Sequence, residues 1–249
     1  AIGVGAAAAT VGIIVGVVTL TGVGFKLADI ITSSAGNLAS ILTAGAASGW
    51  ADPAALTLLF TLIMTAFVCL LLGCGVPTTA NYIIMVTIAQ PALAKLGIAP
   101  IVSHFFVFYY GVLADITPPV ALAAYAGASM AGADPFRTGN TAFRLGLAKA
   151  LVPFVFVYQP AMLIVTKEFT WPLFLETTLS CLVGIVMLAA ALTGYGLARM
   201  SGAIRLALGL ASLLMIMPSR IGLVAGTLIA IPIAIGQWRA SRAESPQPS

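Results

Sequence analysis

The sequence predicts an all-α polytopic membrane protein, and three observations lead to this prediction. Hydrophobic residues make up 61% of the chain and charged residues only 7%, with a mean hydropathy of +1.11. A soluble domain carries roughly 25% charged residues. Several uncharged apolar runs approach the ~20 residues that cross a bilayer as a helix. None of these runs shows the sustained period-two alternation of a half-buried strand.

The N-terminal region, residues 1–52, is predicted to hold a spanning helix and an arm. The run from Ala1 to Gly24 is rich in Gly, Ala and Val, which allows close helix packing. Residues 26–52 are more polar and are expected at the membrane interface or in a helical arm. The chain begins in apolar sequence without a Met, so we expect a fragment of a larger membrane protein.

The middle region, residues 53–165, is predicted to be the functional core. It contains an interrupted apolar hairpin over residues 54–96 and an interrupted helix over residues 101–131. A polar loop is expected at residues 132–137, followed by a spanning helix over residues 145–165. Interruptions at membrane depth leave backbone groups unpaired, so they survive where they are buried in protein or line a polar cavity.

The C-terminal region is predicted to hold additional spanning helices over residues 166–238 and a disordered tail over residues 239–249. Seven of the 11 basic residues fall into three clusters, and with the spans drawn as above these clusters lie on one side of the membrane. The positive-inside rule makes that side, and with it the C-terminus, cytoplasmic. The single histidine and seven acidic residues leave few catalytic sets, which argues against an enzyme.

The hairpin is interrupted by helix-breaking residues and hydroxyls. Gly73 and Gly75 permit unusual backbone torsions, Pro77 donates no backbone hydrogen bond, and Thr78 and Thr79 supply hydroxyls. A tip of this kind presents carbonyls from one helix end, which suit Na⁺, and N–H groups from the next helix, which suit a carboxylate. A plain kink or a solvent-exposed turn is an equally compatible interpretation of the composition.

The second interruption places an ionisable residue between two apolar half-helices. Asp115 is a candidate cation ligand or proton carrier, because a carboxylate inside a membrane is costly. Pro118 and Pro119 remove two donors in succession, and Thr117 is expected to be extended with its hydroxyl and carbonyl free. Alternatively, Asp115 caps the helix that begins near Pro118 or pairs with a basic residue elsewhere in the protein.

An ordered series of motifs resembles the large membrane subunit of TRAP transporters, most closely the fused permeases of the TAXI subgroup. The resemblance covers residues 6–163, and Gln159 stands where the family often has asparagine. The motifs are GCGVPTTANY at 73–82, PAL at 91–93, LGIAP at 96–100, ADITPPVALAAY at 114–125, GADP at 132–135, VPF at 152–154 and YQPA at 158–161.

This resemblance implies tripartite, ATP-independent uptake across a bacterial-type inner membrane. A periplasmic binding protein delivers an organic anion, commonly a carboxylate, and the membrane part imports it with a cation, usually Na⁺. It also implies an elevator-type fold of inverted repeats, of which this chain holds the second, with a re-entrant hairpin and a broken helix. The expected partners are the binding protein, the N-terminal remainder with its small-subunit region, and the bilayer. No cofactor beyond the coupling ion, Na⁺ or H⁺, is expected.

The two interruptions supply the predicted site residues, and cations are expected to bind before the substrate. The predicted cation-binding residues are Gly73, Gly75, Thr78, Asp115 and Thr117, with Na⁺ itself assigned to Gly73, Thr78, Asp115 and Thr117. The predicted substrate-binding residues are Thr79, Asn81, Pro118 and Pro119.

Two other functions remain open on the sequence. One is an elevator-type anion/Na⁺ symporter that works without a binding protein. The other is a membrane scaffold that transports nothing, in which filling both interruptions with Ala-rich helix would leave function intact.

Overall fold

The computed structural model of this chain describes residues 2–45, 52–217 and 219–244. Within these residues the chain is all-helical, with two short 3₁₀ helices at Ala148–Leu151 and Pro160–Met162 and no strand. The α-helices are α1 (Ile2–Thr21), α2 (Val23–Gly45), α3 (Pro53–Gly73), α4 (Thr78–Lys95), α5 (Pro100–Ala114), α6 (Leu122–Ala131), α7 (Pro135–Leu147), α8 (Val152–Tyr158), α9 (Trp171–Thr193), α10 (Gly202–Ile216) and α11 (Arg220–Glu244).

Four helical stretches of the described chain are long and apolar enough to cross a membrane. They are Pro53–Gly73, Pro135–Tyr158, Trp171–Thr193 and Arg220–Arg242. A fifth is added if α1 and α2, which are bent by 67° relative to each other, count as one span. The predicted class, an all-α polytopic membrane protein, is confirmed at this level.

The chain divides into two compact units, Ala1–Asn140 and Thr141–Ser249. In the first unit α2 packs against α3 and α4, and α5 packs against both α3 and α4. Its core consists of fully buried apolar side chains such as Leu62, Met85 and Phe106. This packing brings the two interruptions, which follow α3 and α5, into one neighbourhood.

In the second unit α10 packs against both α9 and α11. Small residues allow the helices to approach closely: a Cβ added at Gly226 would lie 2.7 Å from the carbonyl oxygen of Ala211. The Arg205 guanidinium donates to the carbonyls of Ala191 and Leu192 at the end of α9, at 2.8 and 2.9 Å. These bonds satisfy carbonyls that the helix terminus leaves free.

Three sequence predictions about element bounds are wrong in part. The helix predicted over residues 145–165 begins at Pro135 and ends at Tyr158. Asp134 starts it, because its carboxylate accepts from the Arg137 N–H at 2.7 Å and proline suits the first helical position. The predicted loop over 132–137 is therefore helical from residue 135 onward.

Past Tyr158 the chain leaves the α-helix, because Gln159 has φ −138° and Pro160 follows it. At the C-terminus α11 continues to Glu244, so residues 239–244 are helical rather than disordered. Residues 245–249 of the predicted tail and residues 46–51 of the predicted arm lie outside the described residues. The rest of that arm forms most of α2.

Candidate functional site

The segment after α3 is a tight turn that leads directly into α4. Val76 donates its N–H to the Gly73 carbonyl at 3.3 Å, and Gly75 has φ +80°, a conformation that favours glycine. Among the described residues, no side chain caps the start of α4 at Pro77. The first N–H groups of any α-helix have no partner within the helix, and here no side chain caps them. The start of α4 therefore has a positive electrostatic character.

The segment after α5 is a series of turns that reaches α6 at residue 122. Thr117 donates its hydroxyl to the Leu113 carbonyl at 2.8 Å, and its carbonyl accepts from the Ala121 N–H at 3.1 Å. The prediction that both groups of Thr117 are free is therefore wrong, because the turn folds back onto α5. Tyr125 closes the segment by donating its hydroxyl to the Pro119 carbonyl at 2.6 Å.

A hydrogen bond joins the two interruptions. The Thr78 hydroxyl, at the start of α4, donates to Oδ2 of Asp115, at the end of α5, at 2.5 Å. Both side chains are half-buried. Asp115 does not cap α6, which begins at Leu122 after the N-cap residue Ala121 and has no side-chain cap among the described residues. Its carboxylate instead accepts from Thr78 at the hairpin tip, and its backbone carbonyl accepts from the Ala123 N–H of α6 at 3.0 Å.

A buried amide lies beside this bond. Asn81 is 1% exposed, and neither its Oδ1 nor its Nδ2 has a hydrogen-bond partner among the described residues. A Cβ added at Gly73 would overlap its amide and come within 2.7 Å of the Ala114 Cβ, while one at Gly111 would lie 3.4 Å from Nδ2. Burying an amide without a partner costs about 1–3 kcal/mol, which marks Asn81 as a candidate ligand-binding group.

The structure brings some of the predicted residues together and leaves others apart. Gly73, Thr78, Asn81 and Asp115 converge, whereas Thr79 and Pro119 are exposed. Pro118 is half-buried in the turn and is joined to Pro119 by a cis peptide bond. Gly75 packs against the second interruption, because a Cβ at this position would lie 3.4 Å from Val120.

The sequence interpretation missed Gly111 and two hydroxyls on α3. Thr61 and Thr65 are 0% and 1% exposed and have no hydrogen-bond partner within the described chain. With Cys69 and Gly73 they follow an i, i+4 spacing, so they share the face of α3 that leads to Asn81. The spacing can be read from the sequence, but the burial of these hydroxyls, which makes them candidate binding groups, cannot.

The convergent groups suit a hard cation beside an anion. Carboxylate, hydroxyl, amide and carbonyl oxygens come together from Asp115, Thr78, Asn81 and the end of α3, and hard cations prefer such oxygens. The free N–H groups at the start of α4 lie next to them and suit an anionic group. One cluster thus offers both kinds of contact.

Comparison with known proteins identifies the family. The family model described as "Tripartite ATP-independent periplasmic transporter, DctM component" matches residues 1–171, which include α1 to α8 and both interruptions. No curated protein and no solved structure shows a significant match. The family model covers more than half of the chain, and the all-helical, multi-pass architecture agrees with it. This chain belongs to the DctM family, the large membrane component of tripartite ATP-independent periplasmic (TRAP) transporters.

Proposed function

We propose that this chain is the second repeat, and the C-terminal half, of an elevator-type TRAP permease that imports organic anions by Na⁺ symport. In this proposal α3 and α4 form the re-entrant hairpin, and α5 and α6 form the broken helix. The observation that supports it best is the 2.5 Å hydrogen bond between Thr78 and Asp115. That bond couples the hairpin tip to the helix break, so a ligand at either one affects both.

The proposed Na⁺ site lies between these two elements. Its ligands are the Thr78 hydroxyl, the Asp115 carboxylate and the backbone carbonyls of Gly73 and Thr117, with Gly75 shaping the turn. Each of these carbonyls already accepts one hydrogen bond and keeps a second lone pair for a cation. The Thr78 hydroxyl hydrogen points at Asp115 in this structure, but a hydroxyl rotates freely enough to turn a lone pair toward a cation. Sodium binding then replaces one hydrogen bond with two charge-assisted oxygen contacts.

The proposed substrate is a carboxylate that binds next to the cation. The uncapped start of α4 offers N–H groups, Thr79 offers an exposed hydroxyl beside them, and the buried Asn81 amide lies one turn further along α4. In this proposal Pro118 and Pro119 contribute from the segment after α5, across the Thr78–Asp115 hydrogen bond from α4. A bound cation raises the local positive potential, so in this proposal the cation binds first and the anion second.

The setting of the proposed function is the inner membrane, with the C-terminus in the cytoplasm. The proposed partners are a periplasmic binding protein and the N-terminal part of a fused, TAXI-type permease with its small-subunit region. Arg199 precedes α10 and Arg239 lies near the end of α11, and Ala198 donates to Gln237 at 3.0 Å, so both arginines lie at one end of this unit. That end is the cytoplasmic one by the positive-inside rule.

The proposal is tested by uptake of radiolabelled carboxylates into proteoliposomes that contain the complete permease. We expect uptake only when the binding protein and an inward Na⁺ gradient are both present. Each charge moved inward gains about 2.3 kcal/mol per 100 mV, so an imposed inside-negative potential raises the rate if net positive charge enters.

Each alternative predicts a different result of this uptake experiment. Uptake without the binding protein supports the binding-protein-independent symporter. Uptake driven only by an H⁺ gradient recasts Asp115 as a proton carrier and contradicts the Na⁺ site. No uptake of any carboxylate under any gradient favours the scaffold interpretation.

Asn81 provides a prediction that separates transport from folding. Asn81→Leu removes a buried amide that has no partner in the described chain, so we expect an unchanged or higher unfolding midpoint in detergent. If the Asn81 amide contacts the substrate, uptake by Asn81→Leu falls at least about tenfold, because the substrate loses its hydrogen bond to this amide. Thr78→Val serves as the positive control for lost transport.

The matched control for this substitution is Asn37→Leu on α2, where the asparagine is exposed. We expect that variant to keep both its stability and its uptake. An Asn81→Leu permease that is stable and transports at the normal rate would show that the amide has no role in substrate binding.

A further inference from the structure

An apolar groove runs along the C-terminal unit, beyond the residues that the family model covers. Its volume is about 700 Å³, and α9, α10 and α11 all contribute to it. Side chains such as Val186, Met187, Leu208 and Ile231 line its walls. The groove opens to the outside of the unit, where a spanning helix meets lipid.

The length of the groove fits one leaflet of a bilayer. Its lining extends from Val183 to Thr193 on α9 and from Thr227 to Gln237 on α11. At 1.5 Å per residue each stretch is about 15 Å long. The hydrocarbon core of a bilayer is about 30 Å thick, so a groove of this length accommodates an acyl chain from a single leaflet.

One end of the groove is closed by the loop between α9 and α10. Gln237 on α11 accepts from the Ala198 N–H at 3.0 Å, and Met200 donates its N–H to the Gly194 carbonyl at 3.0 Å. Gln237 and Met200 also line the groove. The last turns of α11 are therefore fixed to this loop at the end of the groove.

Four arginines surround the same end. Arg205 is engaged by the last carbonyls of α9, and Arg242 lies 3.8 Å above the Trp238 ring. Arg199, in the loop, and Arg239, two residues after Gln237, are exposed and have no carboxylate partner among the described residues. Neither arginine lines the groove itself, but Arg199 adjoins the lining residue Met200 and Arg239 follows the lining residue Gln237 by two positions. Two positive charges thus flank this end of the apolar groove.

We propose that this groove is a binding site for an anionic phospholipid, with one acyl chain in the groove and the phosphate at Arg199 and Arg239. A phospholipid combines the two features that the site presents, an apolar chain and a negative group at its end. The positive-inside rule places this end in the cytoplasmic leaflet, which is where anionic lipids concentrate. The half-exposed Trp238 and Tyr195 beside it suit the headgroup region.

The test is native mass spectrometry of the complete permease in detergent with phosphatidylglycerol or phosphatidylcholine of identical acyl chains. We expect the unmodified protein to prefer phosphatidylglycerol. The double variant Arg199→Gln, Arg239→Gln should lower phosphatidylglycerol affinity by roughly tenfold or more and leave phosphatidylcholine unchanged. Arg199→Lys, Arg239→Lys should retain the preference.

Two control variants separate this site from general effects. Lys167→Gln, Arg220→Gln removes as much charge at the opposite ends of α9 and α11 and should leave the preference intact. Ala190→Phe, Ala234→Phe fills the groove and should weaken both lipids. The proposal is overturned if the arginine double variant still prefers phosphatidylglycerol, or if the Lys167/Arg220 variant loses that preference equally. It is also overturned if the groove-filled variant binds both lipids normally, or if millimolar inorganic phosphate displaces phosphatidylglycerol.

Discussion

Thr78→Val and Asp115→Asn, each introduced into the complete permease, should lower Na⁺-driven uptake by about tenfold to a hundredfold. Thr78→Val removes the donor of the 2.5 Å hydrogen bond that joins the hairpin tip to the helix break, and Asp115→Asn removes the negative charge of its acceptor. Hydrogen bonds to charged groups contribute about 1.5–3 kcal/mol, which corresponds to this range of rates or affinities. The apparent Na⁺ affinity should fall together with the rate, because both side chains are proposed cation ligands.

A double-mutant cycle distinguishes a shared role from two separate ones. The double variant should lose little more than either single variant, because both changes abolish the same charged hydrogen bond. Matched controls are Thr87→Val, whose hydroxyl donates to the Ile84 carbonyl of its own helix, and Asp134→Asn, since asparagine also caps a helix. Normal Na⁺ dependence in well-folded single variants would refute the assignment.

Gly73→Ala should destabilise the permease by about 1–3 kcal/mol and should abolish most uptake. The new Cβ would overlap the Asn81 amide and lie 2.7 Å from the Ala114 Cβ, and both neighbours belong to packed helices. Because α3, α4 and α5 meet at this glycine, the strain should displace the hairpin tip from the helix break. Thermal unfolding in detergent measures the first effect and uptake measures the second.

A glycine in open space provides the control. At Gly127 on α6 a Cβ would meet nothing within 4 Å, so Gly127→Ala should be neutral or slightly stabilising. Adding Ala114→Gly to Gly73→Ala should recover part of the lost stability by removing one of the two close contacts. Equal effects of the Gly73 and Gly127 substitutions would contradict the packing argument.

The positions of the interruptions were predictable because their signals are local. Glycine and proline act through their own backbone torsions and missing donors, so the sequence alone indicates that the helices stop near Gly73 and Asp115. The conformation within an interruption was not predictable in the same way. The Thr117 hydroxyl donates to the Leu113 carbonyl, and its carbonyl accepts from the Ala121 N–H. The geometry of the turn, rather than the preference of the residue, decides which of these groups are paired.

Composition and hydropathy also determined the all-helical membrane class, since apolar length alone makes a helix suitable for a bilayer. Hydropathy alone did not determine where a helix begins when capping residues precede the apolar run. Asp134 and Pro135 start α7 well before the apolar run, because capping and a proline at the first position extend a helix into polar sequence.

Only the tertiary structure decided which residues distant in sequence are in contact. Thr78 and Asp115 are 37 residues apart in sequence, and the packing of α4 on α5 is what brings their side chains into contact. The burial of Asn81 and the apolar groove between α9, α10 and α11 depend in the same way on several helices at once. A local pattern can specify where a helix breaks, but contact between distant segments depends on close packing of whole helix faces.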